Sequence, residues 1–93
     1  MKKPIGIFDS GIGGLSILSS LVEKLPNESF IYLSDNKNCP YGNKLQEQIK
    51  NFSLKNSKKL IELNCKMIIV ACNTATTNCI DLLREKIPVP IIG

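Results

Sequence analysis

Short apolar runs alternate along this chain with longer segments of a different period. Ile5 to Phe8, Phe30 to Leu33, Met67 to Ala71 and Val89 to Ile92 are too short for stable helices and read as strands. Ile5 to Phe8 shows no polar alternation, as expected for a strand covered on both faces. The segments between are helical in period. From about Gly14 to Leu25, the apolar positions Leu15, Leu18, Leu21, Val22 and Leu25 recur at three and four, so one stripe faces the sheet. From about Leu45 to Leu63, Leu45, Ile49, Phe52, Leu60 and Leu63 share a side, and Asn56 interrupts it. A third helix, from about Ala75 to Lys86, buries Cys79, Leu82 and Leu83. Pro26-Asn27 and Pro88 stop the first and the third. Strand, helix, strand in this order predicts βαβ units and a parallel sheet. The expected class is α/β, a three-layer, flavodoxin-like parallel sheet with helices on both faces.

Ninety-three residues suffice for one small domain or part of a larger one. With 5% aromatic residues and no Trp, the core must rest on Ile, Leu and Val. No apolar stretch reaches bilayer length, so no membrane span is expected. The basic start, Met1-Lys2-Lys3-Pro4, precedes an apolar run broken by Asp9. That is not a secretory leader, and a cytoplasmic location follows as the expectation. The net charge is +4. Lys44, Lys50, Lys55, Lys58, Lys59 and Lys66 carry half the positive groups, five of them on or beside one predicted helix, and they read as a solvated face. No interleaved aromatics point to nucleic acid. An anionic small substrate is favoured slightly by the overall field. Cys39, Cys65, Cys72 and Cys79 lack a secretory context, so no disulfide framework is expected. Three of them are spaced by seven, but without His or a Cys-x-x-Cys pair no metal site is expected. The chain stops where a fourth, edge strand has just begun, which leads us to expect an incomplete domain.

Two strands end in chemistry. The first delivers Asp9-Ser10-Gly11-Ile12-Gly13-Gly14, a glycine-rich turn into a helix whose positive dipole end welcomes a phosphate or carboxylate. It matches neither the dinucleotide fingerprint nor a P-loop. A plain turn in which Asp9 or Ser10 caps the helix fits equally well. The third strand delivers Cys72-Asn73-Thr74, with the thiol at a helix start, where the dipole lowers its pKa. Asn73 and Thr74 offer donors to a carboxylate. The alternative, a buried cysteine acting as a small hydrophobe, suits Cys65 and Cys79 better than Cys72, which polar residues follow at once. A phosphatase loop would need Arg six positions on, where Asn78 stands, and a cysteine hydrolase would need a His, which the chain lacks. Asn38-Cys39-Pro40-Tyr41-Gly42 sits in a long loop after the second strand. By itself it reads as a turn, and the other reading makes Tyr41 one wall of a pocket.

Three segments together, Ile7 to Ser16, Asn38 to Gly42 and Val70 to Thr76, resemble in order and spacing the amino-terminal part of the aspartate/glutamate racemase family, glutamate before aspartate. The resemblance spans nearly all 93 residues. It implies an amino-acid racemase that needs no cofactor and no metal, with glutamate as substrate. In that family two cysteines on opposite faces of the substrate exchange its α-proton. The resemblance makes Cys72 the first of the pair, the base acting on the D-enantiomer, and Asp9 its acidic partner. Ser10, Tyr41, Gly42, Asn73 and Thr74, with Asp9, correspond to groups that bind the substrate's carboxylates and amino group. The second cysteine belongs to a Gly-Cys-Thr-His segment of a following domain and is not in this sequence. Residues 1–93 thus correspond to the amino-terminal part of the first domain, without the second domain or the carboxyl-terminal return. The resemblance further implies D-glutamate supply for peptidoglycan synthesis, a homodimer at full length, and no activity in the 93 residues alone. An aspartate racemase and a non-catalytic anion-binding module are the other readings.

Overall fold

A computed structural model describes residues 3–9, 14–34, 45–71 and 73–93, with the backbone alone at residues 14, 15 and 73–78. Among the described residues, four strands and three helices alternate: β1 (Ile5–Asp9), α1 (Gly14–Lys24), β2 (Phe30–Ser34), α2 (Gln46–Glu62), β3 (Met67–Val70), α3 (Asn73–Lys86) and β4 (Ile91–Ile92). All pairings are parallel and the order is β2-β1-β3-β4, with β4 on an edge as the sequence predicts. Ile7 pairs with Tyr32 and Ile69, and Phe8 with Leu33 and Val70.

The order fixes which helix covers which face. From β1 the chain steps one way to β2, then crosses back over β1 to β3 and on to β4. Crossovers of one hand therefore put α1 on one face and α2 and α3 on the other. Side chains agree. Phe8, Ile68, Val70 and Ile91 share the second face and form a buried cluster with Ile49 and Leu60 of α2 and Cys79 and Leu83 of α3. Ile5, Ile7 and Asp9 point to the α1 face and are also buried, so the absence of alternation in β1 has the expected cause. Strand β3 differs: Met67 and Ile69 are only half-buried, because α1 lies over β1 and β2 and leaves that part of its face uncovered.

Some apolar positions in the helices are less buried than their periodicity predicts. In α1, Leu18 and Leu21 are half-buried and Val22 is 49% exposed, with Leu25 exposed beyond the helix end. Among the described residues, no second helix lies beside α1 on its face to cover its flank. In α2, Leu45 and Leu63 flank the helix and are exposed, while Ser53 and Ser57 join Ile49 and Leu60 on the inner face. In α3, Cys79 and Leu83 are buried and Leu82 half-buried. Asn73 and Thr74 belong to its first turn, two residues before the predicted start. Strand β4 begins at Ile91 rather than Val89, since Pro90 has no N–H to donate and only its carbonyl joins the ladder, accepting from the Ile68 amide at 3.0 Å.

Of the lysines read as one solvated face, Lys55, Lys58 and Lys59 are exposed on α2 and Lys50 is half-buried. Lys66 has another role. Its Nζ donates to both Glu28 carboxylate oxygens, at 2.7 and 2.9 Å, and ties together the segments entering β2 and β3. Cys65 and Cys79 are buried and are in no disulfide. Burial pushes the Cys65 thiol up from its ordinary range.

Candidate active site

Strands β1 and β3 are adjacent and parallel, and the chain departs in opposite directions on either side of them. This is the topological switch point, where open α/β sheets bind ligands beyond the strands' carboxyl ends. The two strands leave the sheet side by side. The Ala71 amide donates to the Phe8 carbonyl at 2.8 Å, one residue before Asp9, and α3 starts at Asn73.

Asp9 is the last residue of β1 and is fully buried. A carboxyl group is not left in such a place without hydrogen bonds. Tyr32 donates its hydroxyl to Asp9 Oδ2 at 2.5 Å, a short contact of the kind a charged acceptor gives. Register explains the reach: Tyr32 pairs with Ile7, two residues back from Asp9 on the same face. Ser34, which pairs with Asp9 itself, hydrogen-bonds to the Tyr32 hydroxyl. Desolvation, the bond to Asp9 and its nearby charge raise the Tyr32 pKa, and the Ser34 contact opposes them.

Of the residues singled out in the sequence, Asp9 is the one whose side chain is described. Asn73 and Thr74 open α3, with their backbone alone described. Ser10, Tyr41, Gly42 and Cys72 lie outside the described residues. The sequence reading missed Tyr32 and Ser34. A phenol two places below the end of a strand signals little until the neighbouring strand and its register are known. Among the described residues, no cluster of three or more His, Cys, Asp or Glu could hold a metal ion, and no helix is long and apolar enough to cross a membrane.

No family model matches the chain. Known proteins do. The glutamate racemase of Staphylococcus carnosus is 44% identical over 93 residues, which are 100% of this chain and 35% of that protein. The solved structure of glutamate racemase from Aquifex pyrophilus superposes with a TM-score of 0.94 at 38% identity, covering 100% of this chain and 36% of that one. That of Francisella tularensis glutamate racemase, in complex with D-glutamate, gives 0.91 at 43% identity, covering 97% and 35%. The chain spans about a third of the length of the curated relatives it matches. In sequence and in fold the chain is similar to one segment of the glutamate racemases, matched over all its own residues.

Proposed function

We propose that these 93 residues are the amino-terminal part of the first domain of a two-domain glutamate racemase, interconverting L- and D-glutamate without cofactor or metal. The observation that carries this reading is Asp9, a buried carboxyl group on the strand next to the one that runs into Cys72. In this proposal Cys72 is the base for the D-enantiomer. Its thiolate takes the α-proton, and the electron pair stays on the α-carbon and spreads into the adjoining carboxylate. A thiol on the opposite face, from the second domain, returns a proton and becomes the thiolate. Asp9 manages the Cys72 proton and the substrate ammonium. Ser10, Tyr41, Gly42, Asn73 and Thr74 hold the carboxylates and the amino group.

Physical chemistry supports the assignment. The α-proton of an amino acid is weakly acidic, so its removal needs a base in contact and donors for the developing charge. Helix α3 begins at Asn73, and a helix start presents a positive dipole end. With one base of the two, the 93 residues alone do not racemise. We place the whole protein in the cytoplasm as a homodimer, supplying D-glutamate for peptidoglycan.

A chimaera tests the proposal. The 93 residues replace the matching third of the Staphylococcus carnosus enzyme, and exchange of the glutamate α-proton with deuterated solvent is followed by NMR. Starting from D-glutamate, exchange is expected in the chimaera, and none with Cys72→Ala or in the 93 residues alone. A Cys72→Ala chimaera that still exchanges or racemises D-glutamate would overturn the reading.

A further inference from the structure

The hydrogen bond from Tyr32 to Asp9 goes beyond the roles proposed above. We infer that Tyr32 is a positioning residue for the Asp9 carboxylate, holding it in the orientation it needs at the rim; the inference rests on the racemase reading of the site.

Three observations converge. Asp9 is fully buried, so its carboxylate orientation depends on protein partners. The Tyr32 hydroxyl donates to one particular oxygen, Oδ2, at 2.5 Å, which restrains rotation about the Cβ–Cγ bond. Ser34 stands level with Asp9 on the neighbouring strand and bears on the same phenol. The three side chains share the α1 face, and hydrogen bonds linked in series in a low-dielectric setting reinforce one another. Tyr32 itself pairs with Ile7, about 7 Å back along the strand from the level of Asp9. Its hydroxyl spans that offset to end on Asp9, and its role is assigned through Asp9.

In the chimaera, Tyr32→Phe keeps the ring and removes the hydroxyl. The expected result is a kcat lower by about tenfold or more with KM within about twofold, since a displaced carboxylate costs rate more than binding. A kcat within twofold of the parent, while Asp9→Asn abolishes exchange, overturns the positioning role and leaves the racemase reading standing. Full activity in the Asp9→Asn chimaera would instead sink the catalytic role of Asp9 and this inference with it. A second measurement uses the 93-residue chain. Its two tyrosines are Tyr32 and Tyr41, so Tyr41→Phe leaves one phenol to titrate by absorbance. Adding Asp9→Asn should move the Tyr32 midpoint down, because a neighbouring negative charge is lost. An unmoved midpoint overturns the inference, and this measurement decides alone should the Tyr32→Phe chimaera not fold.

Discussion

Gly6 in β1 lies against the end of α2: a methyl group on its α-carbon would sit 3.0 Å from the Cys65 sulfur and 3.1 and 3.2 Å from the two Leu60 methyl carbons. The neighbours are buried, so any shift to make room disturbs the packed core. Gly6→Ala is expected to destabilise the chain by about 1–3 kcal/mol through overpacking. The denaturant midpoint measures it. In a Cys65→Ala background the same change should cost less, because the nearest atom is gone. An equal cost in both backgrounds would mean that the sulfur is not the obstacle.

Helix α2 ends in a left-handed residue, Asn64, with φ 65°. The Asn64 amide bonds to the Ile61 carbonyl at 2.9 Å and the Cys65 amide to the Leu60 carbonyl at 3.2 Å. This is the Schellman pattern, and glycine prefers it to every other residue. Asn64→Gly should raise stability by up to about 1 kcal/mol, and Asn64→Val should lower it by about 1–2. Chemical denaturation of the three proteins should rank them Gly, Asn, Val.

Ser53 and Ser57 are fully buried on the inner face of α2, and among the described residues their hydroxyls have no hydrogen-bond partner. A buried, unpaired hydroxyl is a desolvation cost, and serine is a poorer helix former than alanine. Ser57→Ala should stabilise the chain by about 1 kcal/mol, read from the thermal or denaturant midpoint. A loss of stability would reveal a partner for the hydroxyl.

These serines also show where sequence reading stops. Strand positions were legible because each run is apolar and bounded by turn residues, and the parallel class followed from strand–helix alternation. The inner face of α2 was less so. At positions 53 and 57 the core uses small polar residues, which hydrophobic periodicity cannot mark as buried, while the exposed Leu45 and Leu63 look like core. The candidate site was legible at Asp9, where a carboxylate ends an apolar run. Tyr32 was not, because its importance depends on a register between strands that no local pattern encodes.

Alkaline pH should weaken the fold through two groups. The Tyr32 phenol is held above its ordinary 10.0, chiefly by desolvation and the bond to Asp9. The Cys65 thiol is held above its ordinary 9.0 by desolvation. The folded chain thus keeps both protons at a pH where the unfolded chain has released them. Their contribution is full below the unfolded pKa values and disappears as pH rises through the folded ones. Unfolding free energy, measured under reducing conditions from about pH 8 to about pH 11, should fall. Cys65→Ala should flatten the lower part of that fall and leave the upper part. A profile identical to the parent's would show that Cys65 does not titrate differently in the two states.

Ile91 and Ile92 are neighbours on β4 with opposite fates. Ile91 pairs with Ile68 and joins the buried cluster beneath α3. Ile92 pairs with Ile69 on the α1 face, beyond the reach of α1, and is 45% exposed. Sequence gives no reason to separate two identical side chains, but register does. Truncating Ile91 to alanine leaves a cavity against Ile68 and should cost about 2–4 kcal/mol. The same change at Ile92 removes partly solvated surface and should cost less than about 1 kcal/mol. Equilibrium denaturation of the two variants compares them directly. Equal costs would mean that the α1 face of β3 and β4 is covered in solution, and a reversed order that β4 has slipped by one residue.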